Sequence, residues 1–428
     1  MEDYLVSIAC ASIALLCILY VGILKRDLFH PTVFYVFCQS MTLGIAYLKI
    51  SRAMTDFTAV TWFVWLGALV AFILGSTVYY IVSPERHKIE RSRLQEISAT
   101  YNWKLHFAIS ILLTILFVMG ALLVARAIGG FYLFSIGKKT LEANTETSVF
   151  ANVSYASSPI VVVALMVASF KSINPYKWIR ILSFIMAVGV ITLSVCVYPG
   201  RNSLFLCLGS SFILFNYLKK KIPVKAVVTV LLLAVSSFVV VGMMRSQYAD
   251  DSLEGMGLEY MMKLPYDYVA NNYWNLDYAI NPPSDREIHP YTYGLDMAGV
   301  FIEYSGIPAS FRKSYGWDDM FNSRIQKVYG YNTVSYLWEV YKNFGMAGCI
   351  FFPFAVSFLM SFLYERMCSR CTPQMFMLMS FSIYYVGWSF FAAGFKFAHV
   401  WLWVYIAVMM GLICKKRLLA REPELSQN

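Results

Sequence analysis

Four cationic residues lie where hydrophobic segments of this sequence end or break. Arg126 and Arg245 close two such segments, whereas Arg201 and Lys396 lie in short turns between paired segments. Arginine offers bidentate donors to phosphate, and lysine acts more as a point charge. Ionisable groups at membrane depth usually face a cavity or a partner. Around one cavity, these four cations would suit an anionic lipid headgroup, particularly a pyrophosphate; each could instead reach lipid phosphate by itself.

The other reactive residue types form few recognisable motifs. His289 and His399 could each act as a base, with a structural histidine as the alternative. No paired histidine spacing indicates zinc, no phosphate-binding loop indicates nucleotide hydrolysis, and no Asp-x-Asp motif indicates a metal-bound sugar nucleotide. The single Cys-x-x-Cys at Cys368–Cys371 has no second pair to complete a metal site. The sequence predicts chemistry without a metal or cofactor.

The composition is typical of a membrane protein. The 428 residues are 59% hydrophobic and 14% charged, with a mean hydropathy of +0.58, whereas a soluble domain has about 25% charged residues. This excludes a disordered chain and argues against a large soluble enzyme. A helix of about 20 apolar residues crosses a bilayer. We therefore predict one all-α, polytopic membrane domain, 1–428, with eleven spans near 4–24, 32–48, 58–82, 105–128, 151–170, 180–198, 202–218, 223–244, 345–364, 374–394 and 398–414.

The basic residues predict the orientation of these spans. One alternate set of connections, with the C-terminal tail, holds 20 of the 35 Lys and Arg residues, and the other short connections hold 7. The remaining 8 lie in the long connection 245–344, and long loops are left out of this count. Because basic residues collect in the cytoplasm, we predict an external N-terminus, a cytoplasmic C-terminus and an exported loop 245–344. The net charge of +10 then marks the cytoplasmic side, not a nucleic-acid partner.

The exported loop 245–344 is rich in aromatic and acidic residues. It contains 14 of the 30 tyrosines, three of the ten tryptophans and 13 of the 25 acidic residues. Connections of this length are usually functional. Aromatic rings with a polar edge suit stacking on sugars, and they also suit the membrane interface. The sequence leaves both interpretations open, as an interfacial lid or a glycan-contacting surface.

The end of this loop has a helical pattern. Apolar residues in 332–344 follow helical spacing, and the opposite side carries Ser335, Glu339, Lys342 and Asn343. We predict an amphipathic helix along the membrane surface, capped by Thr333. Gly345 and Gly348 would then permit a close bend into the membrane. The segment Leu258–Leu264 is a second candidate interfacial piece, interrupted by Pro265.

Several stretches carry a family resemblance. They are the Gly-Gly segment Arg126–Leu133, the turn Pro199–Leu204, Arg245 at the start of the large loop, and Gly330–Thr333 followed by Tyr341–Gly348. In this order, and with this topology over almost the whole chain, the sequence resembles bacterial O-antigen polymerases, also called oligosaccharide repeat-unit polymerases. Some members carry Arg-x10-Gly repeats. Arg126 and Gly137 have that spacing, whereas Arg201 and Arg245 depart from it.

The resemblance implies a glycosyltransferase that uses polyprenyl-pyrophosphate-linked oligosaccharides as donor and acceptor. Each cycle would extend the glycan and release polyprenyl pyrophosphate, whose charge the four cations would stabilise. The acceptor hydroxyl would lose its proton to a base, for which the candidates are Glu303, Glu339 and His289. Asn332 and Tyr341 lie in the matching motifs and are expected to contact substrate. A single displacement would invert the anomeric centre, without a metal.

Partners and alternatives follow from the same resemblance. The expected partners are the lipid-linked oligosaccharide, membrane lipid and a chain-length co-polymerase, at the periplasmic face of a bacterial inner membrane. One alternative is an O-antigen ligase, which moves the finished glycan onto a lipid A core. The other is a transporter or flippase for the lipid-linked oligosaccharide, a class that often shows internal repeats. We find no convincing repeat in this sequence.

Overall fold

The protein is helical throughout the described residues. The computed structural model describes residues 2–23, 27–51, 54–83, 87–127, 130, 149–197, 201–219, 258–282, 291–295, 297–298, 301 and 333–416. In these residues the regular structure is helical, apart from an isolated antiparallel bridge between Tyr101 and Lys415. The predicted all-α class is therefore confirmed. Five of the helices in the described ranges are long and apolar enough to cross a membrane, as expected for a multi-pass membrane protein.

We number the α-helices in chain order. They are α1 Glu2–Ile23, α2 Pro31–Ala46, α3 Ala59–Val82, α4 Arg91–Thr100, α5 Trp103–Ala127, α6 Val149–Ala156, α7 Ser158–Ser169, α8 Lys177–Val197, α9 Arg201–Leu218, α10 Leu258–Ile280, α11 Tyr336–Arg370, α12 Pro373–Gly387 and α13 Ala398–Ile413. Two short 3-10 turns, Trp388–Phe390 and Gly394–Lys396, connect α12 to α13.

Most of the predicted spans that fall on described residues correspond to helices, and the span near 223–244 lies outside them. Two predicted spans are not single helices. The segment 151–170 divides into α6 and α7, because Pro159 in the first turn of α7 favours a new helix start there. The segment 374–394 stops being α-helical at Gly387, where the absence of a Cβ lets the Phe34 ring pack against the backbone.

The chain forms two compact units. Unit 1 comprises Met1–Arg86, Ile222–Tyr364 and Ser382–Trp401, and unit 2 comprises His87–Lys221, Glu365–Phe381 and Leu402–Asn428. In unit 2, α7 packs against α5, α8 and α9 around buried residues such as Phe117 and Leu165. The fully buried His106 contacts the Ala164 carbonyl through Nε2 (3.0 Å) and the Tyr101 hydroxyl through Nδ1 (3.0 Å). These contacts are those of a structural histidine.

In unit 1, α2 packs against α1, α3 and α10. Helices α3 and α11 also approach closely, because Gly75 has no side chain between its backbone and the Phe354 carbonyl. Beside this contact the Ser361 hydroxyl donates to Ser76 Oγ at 3.0 Å. Small residues and interhelical hydroxyl bonds are the usual means by which apolar helices associate where burial of apolar surface gives little driving force.

The segment 245–344 contains a helix that was not predicted from the sequence. We predicted a short interfacial piece ending at Pro265, whereas α10 continues through Pro265 to Ile280. Its tyrosines and its last turn bind the ends of neighbouring helices. The Tyr266 hydroxyl donates to the Ala46 carbonyl at 2.7 Å, and Asp277 Oδ1 accepts from the backbone N–H of Thr58 at 3.0 Å. Helix ends expose unsatisfied backbone groups, so these contacts explain why α10 docks where α2 ends and α3 begins.

Candidate functional site

Helix α11 is broken at Gly345. This residue has φ 64° and ψ −157°, which divides α11 into a first part, Tyr336–Phe344, and a second part that continues to Arg370. Such backbone angles are essentially restricted to glycine. A Cβ at Gly345 would also lie 3.2 Å from Cζ and the hydroxyl oxygen of Tyr291. The predicted bend at Gly345 is confirmed.

Residues 291–295, which we call the strap, fasten the end of the first part of α11. The backbone N–H of Thr292 donates to the Lys342 carbonyl (3.1 Å), and that of Tyr293 donates to the Asn343 carbonyl (3.0 Å). The Thr292 hydroxyl also donates to Asn343 Oδ1 at 2.7 Å. These bonds satisfy carbonyl groups that the break at Gly345 deprives of helical partners. The strap therefore holds the residues next to the break in a fixed position.

A three-residue ion cluster occupies the polar side of this helix. Glu339 Oε1 lies 3.0 Å from Lys396 Nζ, and Glu339 Oε2 lies 3.1 Å from Lys342 Nζ. The side chains of Glu339 and Lys342 are 13% and 3% exposed, and that of Lys396 is 28% exposed. One carboxylate thus lies between two ammonium groups, and the two positive neighbours stabilise its ionised form. We call this group the 339/342/396 cluster.

The burial of this cluster corrects one expectation. We predicted that the polar face of the helix would look outward along a membrane surface, but Ser335, Lys342 and Asn343 are buried. The strap and the turn that carries Lys396 cover this face, so the polar side chains lie inside unit 1. In addition, Thr333 does not cap the helix. It exchanges hydrogen bonds with the side chain of Asn271, and Ser335 Oγ accepts from the Leu337 N–H at 3.5 Å instead.

The turn that carries Lys396 is positioned by aromatic contacts. The Phe395 ring packs against Phe352 of α11 with centroids 4.9 Å apart. The indole N–H of Trp401 donates to the Phe395 carbonyl at 2.8 Å. Lys396 then ends the 3-10 turn with its ammonium group directed to Glu339. Residues distant in sequence thus converge on one carboxylate.

Hydrogen-bonded side chains also join α2 to α10, to α11 and to the 3-10 turn after α12. The hydroxyls of Tyr35 and Tyr336 lie 2.7 Å apart, and both residues are buried. The Tyr273 hydroxyl lies 2.6 Å from Thr42 Oγ1, and Gln39 Nε2 donates to Ser389 Oγ at 2.9 Å. Buried polar groups need such partners. We call these side chains the polar core of unit 1.

Comparison with known proteins identifies no relative. No protein-family model, curated protein or solved structure matches this chain. Among the described residues, no group of three or more His, Cys, Asp or Glu could hold a metal ion. The site must therefore be interpreted from its own geometry.

The other predicted site residues fall in different places. Tyr341 lies beside the strap, where its ring centroid is 6.2 Å from that of Tyr291 and 6.2 Å from that of Trp338. Arg126 is exposed in the last turn of α5, and Arg201 begins α9; both belong to unit 2. The side chain of Arg201 lies outside the described part of the chain. So do four whole residues that stay predictions: Arg245, His289, Glu303 and Asn332.

Glu339 and Lys396 were predicted separately from the sequence, and Lys342 and Asn343 were not among the predicted site residues. The signal for Lys342 was its position three residues after Glu339, a spacing at which side chains of a helix meet. The signal for Asn343 was weaker. Its amide donates to the Glu339 carbonyl at 2.7 Å and its oxygen accepts from Thr292, a strap residue that sequence spacing alone does not connect to this helix.

Proposed function

We propose that this protein is a membrane glycosyltransferase that polymerises polyprenyl-pyrophosphate-linked oligosaccharide repeat units at the periplasmic face of a bacterial inner membrane. The observation that carries the proposal is the 339/342/396 cluster. It joins Glu339, which was expected to act as a base, to Lys396, which was expected to bind pyrophosphate on the outward side. Its two ammonium groups, beside the aromatic residues of the strap, suit an anionic group attached to a sugar.

We further propose eleven crossings with an external N-terminus and a cytoplasmic C-terminus. Side-chain contacts within unit 1 support this, because they join groups that the basic residues assign to the same side. On the predicted outer side, Asp277 binds Thr58 and Lys396 binds Glu339. On the predicted cytoplasmic side, the Tyr364 hydroxyl donates to Asp27 Oδ2 at 3.2 Å.

Contacts within unit 2 agree with the same assignment. At the predicted cytoplasmic side, Tyr101 pairs with Lys415, and Lys416 Nζ donates to the Ala99 carbonyl at 2.8 Å. At the predicted outer side, the Tyr155 hydroxyl donates to the Ser194 carbonyl at 2.8 Å. A topology with one span more or fewer in between would place some of these partners on opposite sides of the membrane.

In the proposed reaction, the terminal hydroxyl oxygen of the acceptor attacks the anomeric carbon of the donor. A carbon–oxygen bond forms, and the bond from that carbon to the pyrophosphate oxygen breaks, so polyprenyl pyrophosphate leaves with the electron pair. The acceptor proton passes to a base, and the anomeric centre inverts. Lys396 would stabilise the charge on the leaving group. Glu339 remains a candidate base, but two ammonium contacts at 3.0 and 3.1 Å favour a role in holding the lysines.

The proposal is tested with the purified full-length protein in liposomes and a lipid-linked repeat unit as the only glycan substrate. We expect a ladder of polymers on the lipid carrier and release of polyprenyl pyrophosphate. Lys396→Gln should reduce the ladder strongly, whereas Lys49→Gln, which removes another ion-paired lysine of unit 1, should leave it unchanged. Movement of the intact lipid-linked unit across the bilayer without elongation would instead indicate a flippase. Transfer only to a lipid A core would indicate a ligase.

A further inference from the structure

In the 339/342/396 cluster, two ammonium groups share one carboxylate. Each oxygen of one carboxylate contacts a different ammonium group, so Glu339 bridges Lys342 and Lys396. An ammonium group has three donors and no acceptor. Buried ammonium groups require an anionic partner, since taking an unpaired charge out of water is strongly unfavourable. In the absence of substrate, Glu339 is an anion that both lysines bind.

We propose that Glu339 is an internal substitute for the substrate's diphosphate group, which displaces its carboxylate and binds Lys342 and Lys396 in its place. This inference rests on the proposed function and adds Lys342 as a second diphosphate-binding residue. A diphosphate carries more negative charge than a carboxylate and presents more oxygen acceptors, so it satisfies both lysines at once. After transfer, return of the Glu339 carboxylate to the lysines would favour release of the leaving diphosphate.

The positions of the two lysines fit these roles. Lys342 is almost fully buried, and its backbone carbonyl is fastened to the strap, so it is a fixed half of the site. Lys396 is 28% exposed on a short turn, so it is the half that an incoming ligand reaches first. A general base would instead need its carboxylate free to accept a proton from the acceptor hydroxyl.

The test measures diphosphate affinity by isothermal titration calorimetry, using the full-length protein in nanodiscs of neutral phosphatidylcholine. The probes are inorganic pyrophosphate and farnesyl diphosphate. Because a hydrogen bond to a charged group changes affinity by roughly tenfold or more, Lys342→Gln and Lys396→Gln should each weaken binding at least about tenfold. Glu339→Gln removes the competing anion and should tighten binding by about tenfold.

Two matched variants control for charge alone. Asp56→Asn and Lys49→Gln alter the Lys49–Asp56 ion pair of the same unit, whose nitrogen and oxygen are 2.8 Å apart, and should leave both affinities within twofold of the unaltered protein. If Glu339→Gln binds inorganic pyrophosphate and farnesyl diphosphate more tightly by the same factor, the site recognises the diphosphate group itself. If only the affinity for farnesyl diphosphate increases, the site recognises the lipid-linked form of the diphosphate. Either result supports displacement of Glu339.

Unchanged or weaker binding in folded Glu339→Gln would overturn the inference. If that variant does not fold, Lys342→Gln decides, because Glu339 and Lys396 still pair in it: unaltered diphosphate affinity would exclude Lys342 from the site. Failure here is distinct from failure of the proposed function. If the unaltered protein forms polymer but Glu339→Gln leaves diphosphate affinity unchanged, only the displacement of Glu339 by diphosphate is rejected. Tighter binding in Glu339→Gln without any polymer rejects only the polymerase.

Discussion

Glu339 and Lys396 are 57 positions apart in the sequence, yet their side chains meet at 3.0 Å in a cluster that Lys342 completes. Replacement of Glu339 by glutamine leaves both ammonium groups without their carboxylate. Loss of one partner from a buried ion pair destabilises a protein by about 3–5 kcal/mol. Because Lys396 is 28% exposed and partly screened by solvent, we expect Glu339→Gln to lower the free energy of unfolding by about 3 kcal/mol, near the lower end of this range.

The loss of stability in Glu339→Gln is measured by denaturing the purified protein with detergent. Asp56→Asn is the matched control, because it also removes a carboxylate bound to a lysine. Asp56 is 73% exposed, and an exposed ion pair contributes only about 0–1 kcal/mol. Equal losses in the two variants would show that the burial of the 339/342/396 cluster has no energetic consequence.

Gly345→Ala should destabilise the break in α11. A non-glycine residue in this region of backbone angles costs on the order of 1–3 kcal/mol, and the new Cβ would press on the Tyr291 ring of the strap. The control is Gly189→Ala in α8, where nothing lies within 4 Å of the added Cβ. There alanine should be neutral or stabilising by about 0.5–1 kcal/mol. The thermal unfolding midpoint should therefore fall in Gly345→Ala and stay the same or rise in Gly189→Ala. A similar fall in both variants would contradict the strained backbone assigned to Gly345.

The break at Gly345 and the turn near Lys396 were predictable, because hydropathy and glycine placement are local properties of the sequence. The orientation of the polar face was not. Helical spacing shows that Glu339, Lys342 and Asn343 share a side, but it does not show what covers that side. The strap residue Thr292 and the Lys396 turn cover it, and neither is a sequence neighbour.

The helix α10 was missed for a related reason. The sequence predicted only a short interfacial piece, Leu258–Leu264, because Pro265 was expected to interrupt it. The buried residues Tyr266, Ala270 and Tyr273 nevertheless recur at helical spacing, and Asp277 continues that spacing. Tyr266 and Asp277 bind the ends of α2 and α3, and such partners cannot be identified before the fold is known.

Gly75→Ala should weaken the packing of α3 on α11. The added Cβ would overlap the Phe354 carbonyl, and backbone cannot move aside as a flexible side chain does. Overpacking of this kind typically costs about 1–3 kcal/mol. Gly67→Ala is the control on the same pair of helices, because its Cβ would lie 3.5 Å from Ile350 Cγ1, an ordinary contact. Thermal unfolding in detergent should separate the two variants, and equal midpoints would contradict the close approach at Gly75.

Cys371 should resist alkylation in the folded protein. It is fully buried in the turn between α11 and α12, and burial raises the pKa of its thiol to about 11. Because the thiolate is the reactive form, only about one molecule in a thousand would be reactive at pH 8, and the rate should rise with pH up to that pKa.

Mass spectrometry after brief maleimide treatment at pH 8 measures the alkylation of Cys371. Gln95→Cys, at an exposed position of α4 in the same unit, should be labelled readily under identical conditions. In denaturing detergent both thiols should react. Rapid labelling of Cys371 in the folded protein would mean that this turn is open to solvent.

The buried hydroxyl pair Tyr35–Tyr336 makes the most specific prediction for the polar core. In Tyr35→Phe the Tyr336 hydroxyl loses its partner at 2.7 Å, while the ring at position 35 keeps its stacking on Phe72. An unsatisfied buried polar group costs about 1–3 kcal/mol, and Tyr336→Phe should cost a similar amount for the same reason. The double replacement removes both polar groups and should cost less than the sum of the single ones. Detergent titration of the four proteins gives this coupling directly. Strictly additive losses would mean that the two hydroxyls do not depend on each other.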